Sequence, residues 1–331
     1  MPLAGDASGR RNRYFVRFLG ENGDDPLTPR LRELSAGDAR YAPAMDPSLD
    51  QHVTIYRPNQ RHELGWLHTW VVMAQNMIRS KELIWQLFKR DFLATYKKSF
   101  LGLTWLFIAP VLGIISWVLL QSTGVLNAGD LDIPYPAYVL IGTTMWGLFL
   151  GFYNAAQGTL VVGQSLVMDI NYPHEVLLVK QVAQHLANFL LTLLVTLLVL
   201  ALFGVWPVWQ AILLPVVALP LFFLGAGIGL IGSMVAVVAV DLTKLANVVL
   251  GLLMWMTPIL YADNIPHPFL QSLIEWNPLT YLVCSARDIM LYGRLYEPTG
   301  YLISAGLSFF LFIMSWRLFY VSEDRLTERM I

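Results

Sequence analysis

The chain has 331 residues, of which 56% are hydrophobic and only 14% are charged, and its mean hydropathy is +0.54. Because a soluble domain usually carries about 25% charged residues, this composition excludes an ordinary soluble enzyme. The net charge of −1 hides an uneven distribution, since 15 of the 22 Lys and Arg residues lie at or before Lys98.

The first 60 residues form a polar leader that is rich in Pro, Gly, Asp and Arg. The leader has no apolar core of the kind that a signal peptide needs, and it is too polar to bury enough surface to fold alone. We therefore predict a disordered cytoplasmic leader over residues 1–60. The chain has a single cysteine, Cys284, which excludes an intrachain disulfide bond and is interpreted as a small packing residue.

Residues 61–98 are predicted to form amphipathic helices that lie in the membrane interface. Apolar residues recur there at helical spacing. The first stripe is Leu64, Leu67, Val71, Ala74 and Ile78, and the second is Leu83, Ile84, Leu87, Phe88 and Phe92. Lys and Arg on the polar faces, with tryptophans nearby, are typical of helices at a membrane surface. An ordinary helix packed on a soluble domain is the alternative, but the chain offers no such domain.

Long uncharged stretches follow from residue 99 onwards, at 99–129, 133–168, 181–240, 245–262 and 298–316. A helix needs about 20 apolar residues to cross a hydrocarbon core, and the third stretch is long enough for two such helices. The sequence therefore predicts an all-α membrane protein with a six-span domain over residues 99–321. The predicted spans are 101–121, 135–157, 176–203, 211–239, 245–261 and 301–321.

The positions of Lys and Arg near the span ends predict the orientation. Six cations immediately before the first predicted span place the N-terminus in the cytoplasm, and Lys180 and Lys244 flank the later cytoplasmic turns. The even number of spans returns the tail, residues 322–331, to the cytoplasm. The last external segment is an exception to the charge rule because it carries Arg287 and Arg294.

This last external segment, residues 263–298, contains two apolar pieces at 269–276 and 279–291. Each piece is too short to span a membrane, and Asn277 and Pro278 separate them. Proline suits the first turn of a new helix but cannot continue an old one. We predict two short re-entrant helices that dip in from the outer face, where protein must cover the exposed backbone. A surface loop with some helix is the alternative.

The sequence lacks the motifs of an enzyme that hydrolyses nucleotide or binds a metal. It contains no Gly-Lys dipeptide and thus no phosphate-binding loop, and its six histidines show no metal-ligand spacing. Ion-coupled transporters usually carry acids inside the membrane, but the acids nearest the predicted spans lie at span ends: Asp169, Glu175, Asp241 and Asp263. The absence of buried ionisable groups argues against ion coupling and favours an energy source in another protein. A glycosyltransferase would need an aqueous domain that the leader cannot provide.

The predicted cytoplasmic turn at 163–180 carries an apolar patch beside an acid, Asp169. The patch consists of Leu166, Val167, Met168, Ile170 and Tyr172. A short apolar helix that faces the cytoplasm suits docking into a groove on another protein. A connector that lies along the membrane is the alternative.

Three cations lie at the mouth of the first predicted span, namely Arg90, Lys97 and Lys98. Cations at this depth attract a phosphate at the level of the inner headgroups. Anchoring by the positive-inside rule explains them equally well.

Aromatic side chains in and near the spans are candidates for lining a transport path. Phe149, Phe152 and Tyr153 share roughly one helical face, and Trp146 and Tyr261 belong to the same group of candidates. Aromatic faces stack on sugar rings, so these side chains suit a glycan as the transported substrate. Packing in the core or in an interfacial belt is the alternative for each of them.

Three runs of sequence resemble signatures of ABC-2 type permeases that export polysaccharides, a family that includes O-antigen, capsule and teichoic-acid exporters. The first is RDFLATYKKSFLGLTWLFIAPVL, which begins at Arg90 and has Thr95 where arginine is common in the family. The later runs are MTPILYADNIP and WNPLTYLVCSARDIMLYG. The resemblance covers residues 65–321, and its strength lies in the order and spacing of the motifs.

The resemblance implies a homodimer of this chain with two copies of a separate ATPase subunit, which binds ATP and Mg²⁺. The complex would move a lipid-linked glycan across the inner membrane, with no cofactor in this chain and no nucleic-acid partner. An exporter of a small lipid or drug, or an ion-coupled glycolipid flippase, is the alternative. The segment 163–172 would be the coupling helix on the ATPase, and its implied contact residues are Gln164, Leu166, Met168, Asp169, Asn171 and Tyr172.

The resemblance also assigns roles to the region before the first span. The amphipathic helices before Lys97 would lie at the interface and gate lateral access. Arg90, Lys97 and Lys98 match basic positions of the first signature, where they would handle the pyrophosphate of the carrier lipid. Because Thr95 replaces a common arginine, the motif matches the family pattern incompletely at this point.

Overall fold

The computed structural model describes residues 66–97, 102–159, 174–263 and 267–330. Every regular element in these residues is helical, which confirms the predicted all-α class. The predicted leader at 1–60, the predicted coupling segment at 163–172 and Lys98 lie outside the described residues. The helices are α1 (Trp66–Arg79), α2 (Lys81–Lys97), α3 (Trp105–Ser122), α4 (Tyr135–Gln157), α5 (His174–Leu202), α6 (Leu214–Val217), α7 (Leu219–Val238), α8 (Val240–Trp255), α9 (Pro268–Trp276), α10 (Pro278–Leu291) and α11 (Pro298–Met330).

Two helices occupy the region for which amphipathic helices were predicted. α1 and α2 are joined at Ser80, whose carbonyl accepts a 2.9 Å hydrogen bond from the Ile84 amide. Both helices pack against α5. In α1, Met73 is fully buried and Trp70 meets Trp316 of α11 edge to face, with ring centroids 5.5 Å apart. Met73 and Trp70 therefore contact the helical body, whereas Val71 and Ile78 of the predicted apolar stripe are exposed. The position of α1 and α2 in a membrane interface stays a prediction.

Within the described residues, four stretches are long and apolar enough to cross a membrane, at Tyr135–Gln157, Val176–Leu202, Trp209–Val238 and Pro298–Ser322. They coincide with the second, third, fourth and sixth predicted spans. Shorter helices, α3 and α8, occupy the positions of the first and fifth. The count of six spans therefore stays a prediction.

The helix at the predicted fifth span begins earlier and ends earlier than expected. α8 starts at Val240 and ends at Trp255, so its 16 residues reach about 24 Å at 1.5 Å per residue, against about 30 Å of hydrocarbon. Pro258 follows three residues later and cannot continue a helix because it lacks an amide hydrogen. The prediction of helix up to residue 261 was wrong, since residues 257–260 are buried without helical structure.

The core is centred on α4, which packs most extensively against α7 and also against α5. Glycines of α7 permit this packing. A Cβ atom built at Gly225 would lie 2.5 Å from the Phe149 carbonyl oxygen, and one at Gly229 would overlap the Tyr153 carbonyl oxygen. Small residues at such contacts let two membrane helices approach closely. On another side of α7, Gly227 faces the backbone of Phe312 in α11.

Two short helices occupy the last external segment, with the break where Asn277 and Pro278 predict it. The Asn277 side chain accepts a 3.0 Å hydrogen bond from the Leu279 amide and so caps α10. α9 is mostly exposed, whereas nearly all of α10 is buried. The two helices are thus present as predicted, and their re-entry into the membrane stays a prediction.

Candidate functional site

The described residues include some of the predicted site residues and leave out others. The six predicted coupling residues lie outside them, as does Lys98. Lys97 ends α2, and its side chain also lies outside the described part. Arg90 is exposed, and its Nε donates a 2.7 Å hydrogen bond to Oδ1 of Asp91. The structure therefore places one of the three predicted phosphate-binding cations on the surface of α2, beside an acid.

A partly buried ion pair connects α2 with the first turns of α5. Lys180 is 4% exposed, and its Nζ donates a 2.8 Å hydrogen bond to Oδ2 of Asp91. Partial burial of Asp91 opposes ionisation, but the hydrogen bonds and charges of Arg90 and Lys180 outweigh it and lower the pKa of this carboxyl below its usual value. From the sequence, Lys180 was predicted to be a positive-inside anchor. Asp91 lies in the Arg-Asp pair that opens the first signature, and this was the available signal that Asp91 pairs with a cation.

Four of the predicted pathway aromatics are packed inside the chain. Trp146, Phe149, Phe152 and Tyr153 are each at most 5% exposed. Phe152 meets Phe222 of α7 edge to face, with ring centroids 4.7 Å apart. Their burial in the main hydrophobic core favours the packing alternative, and a role in lining a path stays a prediction.

The fifth aromatic, Tyr261, is half-buried and lies at the end of the non-helical segment that follows α8. Its hydroxyl donates a hydrogen bond to the Trp255 carbonyl, the last of α8. Tyr138 of α4 reaches the same segment and donates a 2.9 Å hydrogen bond to the Tyr261 carbonyl. Tyr261 therefore lies apart from the other four aromatics, and its hydroxyl satisfies a backbone carbonyl at the C-terminal end of α8.

Arg287, the exception to the charge rule, is buried beneath the end of α8. Its Nη1 donates a 3.0 Å hydrogen bond to the Pro258 carbonyl, and its guanidinium carbon lies 4.1 Å from the centroid of the Tyr138 ring. Oδ1 of the buried Asp288 lies 3.7 Å from its Nε. A cation near the C-terminal end of a helix also interacts favourably with the helix dipole.

Asn277 completes this arrangement, because its Nδ2 donates to the Met256 carbonyl at 3.2 Å and to the Thr257 hydroxyl at 2.9 Å. Backbone that leaves a helix at membrane depth must find hydrogen bonds inside the protein. The side chains of Tyr138, Asn277 and Arg287 supply them here. The expectation that the chain lacks buried ionisable groups was wrong, since Lys180, Arg287 and Asp288 are all buried. Each of them has an internal partner, which the sequence could not show.

A cavity of about 140 Å³ with a mixed polar and apolar lining lies between α4 and α5, halfway along both helices. Its polar lining consists of Thr143, Thr144, His185, Asn188 and Thr192. These residues were not among the predicted site residues, because only acids were expected to mark function inside the spans. The available signal was a histidine and an asparagine three residues apart, on one helical face of an otherwise apolar stretch.

The fold and these sites define a helical membrane protein whose described polar groups mainly hold helices together. Residues 82–291 match the sequence profile of the ABC-2 type transporter family, and the chain therefore belongs to this family. This finding confirms the family that the sequence motifs indicated. Together with the four described stretches that are long and apolar enough to cross a membrane, membership of this family makes the chain a multi-pass membrane protein.

Several curated proteins are similar to the chain over most of its length. The O-antigen export system permease protein RfbA of Myxococcus xanthus is 27% identical over 77% of this chain and 97% of its own. A protein of the same name from Klebsiella pneumoniae is 25% identical over 75% of this chain and 90% of its own. The polysialic acid transport protein KpsM of Escherichia coli is 23% identical over 64% and 82%, respectively.

Proposed function

We propose that the chain is the permease subunit of an ATP-driven exporter that moves a lipid-linked polysaccharide, of O-antigen or capsule type, across the inner membrane. The observation that carries this proposal is the length of the similarity, since the alignment to one O-antigen export permease spans 97% of that protein. The polysialic acid transport protein is a second relative named for a long glycan. This shared property favours a polysaccharide over a small lipid or a drug.

The energy for this transport would come from a separate ATPase subunit that binds ATP and Mg²⁺. We propose a complex of two permease chains with two ATPase subunits, in which the permease itself is not an enzyme. The segment 163–172 would dock into the ATPase through the contact residues Gln164, Leu166, Met168, Asp169, Asn171 and Tyr172.

The structure supports a route from this docking segment to the interface helices. α5 begins at His174, directly after the proposed docking segment, and Lys180 in its second turn holds Asp91 of α2. A displacement of the docking segment would therefore reach α2 through one partly buried ion pair. In this proposal α2 gates lateral access, and Arg90, Lys97 and Lys98 meet the pyrophosphate of the carrier lipid.

The arrangement in the membrane completes the proposal. We propose six spans, with α3 and α8 as the first and the fifth, both termini in the cytoplasm, and α9 and α10 as re-entrant helices on the outer side. The burial of α10 and the internal hydrogen bonds at the end of α8 support the re-entrant arrangement. In the same proposal, Trp146, Phe149, Phe152, Tyr153 and Tyr261 border the path of the glycan.

A deletion strain tests this function directly. We expect the glycan to accumulate in the cytoplasm of the deletion strain and to disappear from the cell surface, and the intact gene to restore export. Glycan staining of intact and of permeabilised cells separates the two locations. Normal surface glycan in the deletion strain would contradict the proposal.

A further inference from the structure

The cavity between α4 and α5 has no part in the proposed coupling or gating. It is lined by residues 143–151 of α4 and 185–192 of α5, which are the central turns of the two helices. Polar side chains at this depth are costly in hydrocarbon and mark functional sites. His185, Asn188 and Thr192 are only half-buried, so the cavity opens to the protein surface.

The lining presents hydrogen-bonding groups to the cavity. The Thr143 and Thr144 hydroxyls donate to the carbonyls of Val139 and Leu140, one turn earlier, at 2.8 and 2.7 Å. The Thr143 proton is thereby used, and its oxygen remains as an acceptor for a donor in the cavity. The Thr144 oxygen already lies 2.8 Å from the Thr196 hydroxyl oxygen. Within the described residues the His185 imidazole has no hydrogen-bond partner, although it lies against Gly151. These groups gain from an occupant that carries hydroxyls.

The size and the charge of the cavity restrict the class of occupant. A cavity of about 150 Å³ holds a six-membered ring such as benzene, so this cavity of about 140 Å³ has room for one ring. None of its lining residues is Asp, Glu, Lys or Arg, which argues against a phosphate or a metal cation. Leu148 and Phe189 provide apolar surface beside the polar groups. A pyranose matches this mixture, because it has hydroxyls around its rim and C–H groups on its faces.

We propose that the cavity binds one sugar ring of the exported glycan, within a single chain and at the middle of the membrane. That the bound ring belongs to the exported glycan rests on the proposed function. That the cavity binds a pyranose rests on the lining alone. The occupied cavity would guide the glycan along the α4–α5 face.

Thiol labelling tests the binding of a pyranose. Thr192→Cys places a thiol in the lining. The native Cys284 is fully buried, so the protein without this substitution gives the background rate of labelling. The rate of reaction with a small thiol reagent is measured on the full-length protein in detergent, in the presence of methyl mannopyranoside or methyl galactopyranoside. Cyclohexanol at the same concentration is the control for ring size. We expect a glycoside to slow the reaction and cyclohexanol to leave it unchanged. Equal rates in all three solutions would overturn the proposal.

A second pair of variants fills the cavity without disturbing the fold. A Cβ atom at Gly147 meets no atom within 4 Å, and the same holds for Gly306 on α11, so Gly147→Leu has Gly306→Leu as its matched control. In the Thr192→Cys background, we expect Gly147→Leu to abolish protection by the glycoside and to lower glycan export, and Gly306→Leu to preserve both. Retained protection and export in Gly147→Leu would contradict the assignment.

A milder variant measures the contribution of a single hydroxyl. Thr143→Val keeps the shape of the side chain, and we expect it to raise the glycoside concentration for half-protection by about 2- to 10-fold, the effect of one neutral hydrogen bond. Thr123→Val, at the exposed end of α3, is the control and should leave the glycoside concentration for half-protection unchanged.

If intact cells export glycan while glycosides never protect the thiol, the cavity proposal fails and the proposed function stands. If the deletion strain exports glycan normally, the proposed function fails whatever the labelling shows.

Discussion

At the scale of single residues, the buried cations Lys180 and Arg287 each contact groups from other helices. Lys180 was assigned to the cytoplasmic end of a span, and it is buried against Asp91, which lies 89 residues earlier in the chain. Arg287 was recognised as an anomaly, and the anomaly is explained by a carbonyl, a tyrosine ring and an acid that surround it. Contacts between residues so distant in sequence depend on helix packing, which a single sequence does not encode in any local pattern.

The first prediction concerns the Asp91–Lys180 pair. Asp91→Asn removes a hydrogen bond between charged groups, so we expect a loss of about 1.5–3 kcal/mol in the free energy of unfolding. Lys180→Met should have a similar effect, and the double variant should lose less than the sum of both. Because the pKa of Asp91 is lowered, this contribution is present above the unfolded pKa of about 3.9 and is lost as the pH falls through the folded value.

Unfolding of the purified variants in detergent measures this coupling. Asp241→Asn is the control, because Asp241 and Lys244 form a pair on the exposed surface of α8, and such pairs contribute about 0–1 kcal/mol. Strictly additive losses for the two single variants would show that Asp91 and Lys180 do not act as a pair.

The second prediction concerns Arg287. Arg287→Met leaves the Pro258 carbonyl without a charged donor and Asp288 without its nearest cation, so we expect a loss of about 3–5 kcal/mol in unfolding free energy. Arg294→Met should change it by less than about 0.5 kcal/mol, since Arg294 is exposed. Thermal unfolding of both variants provides the comparison. Equal stability of the two would contradict the role assigned to Arg287.

At the scale of helices, patterns along the chain predicted where helices occur. They predicted less well where each helix ends and which helices pack together. The break at Asn277 and Pro278 was correct because proline fixes the start of a helix locally. The end of α8 was predicted too late, although Pro258 was present as a signal, because apolar composition alone set the boundary. Gly225 and Gly229, four residues apart, share one helical face that suits close packing, yet only the structure shows that α4 lies against this face and that Gly227 faces α11.

The third prediction concerns this close contact. Gly229→Ala places a methyl group against the backbone of α4 near Tyr153, so the two helices must separate, and overpacking of this kind typically costs about 1–3 kcal/mol. Gly306→Ala is the control, since its Cβ atom meets open space and alanine favours a helix by about 1 kcal/mol over glycine. Opposite shifts of the melting temperature are therefore expected. A Gly229→Ala protein as stable as the parent would contradict the packing described.

At the scale of the whole molecule, the sequence identified the class of protein because solvent determines composition. A chain without charge over such lengths has to lie in lipid, and motifs in a fixed order then indicated a family that the sequence profile confirms. The pairing of two chains and the contact with an ATPase remain proposals. They depend on surfaces that no local pattern specifies.

The fourth prediction concerns the proposed docking of the ATPase. Met168→Arg places a charge in the apolar patch, and Asp169→Arg reverses the neighbouring charge, so either change should lower export strongly while the protein still reaches the membrane. Lys244→Glu, at an exposed position on α8, is the control for a change of charge elsewhere. Co-purification of the ATPase with each variant separates lost docking from lost folding. Normal export and normal co-purification in both variants would refute the docking segment.

The central claim is that this chain provides the route through the membrane and that another subunit provides the energy. The most direct measurement is movement of lipid-linked glycan across vesicles that contain the chain with its companion ATPase, compared with vesicles that contain either protein alone. The account predicts movement only when both proteins and ATP are present. Movement driven by a proton gradient without ATP, or ATP hydrolysis by this chain alone, would contradict it.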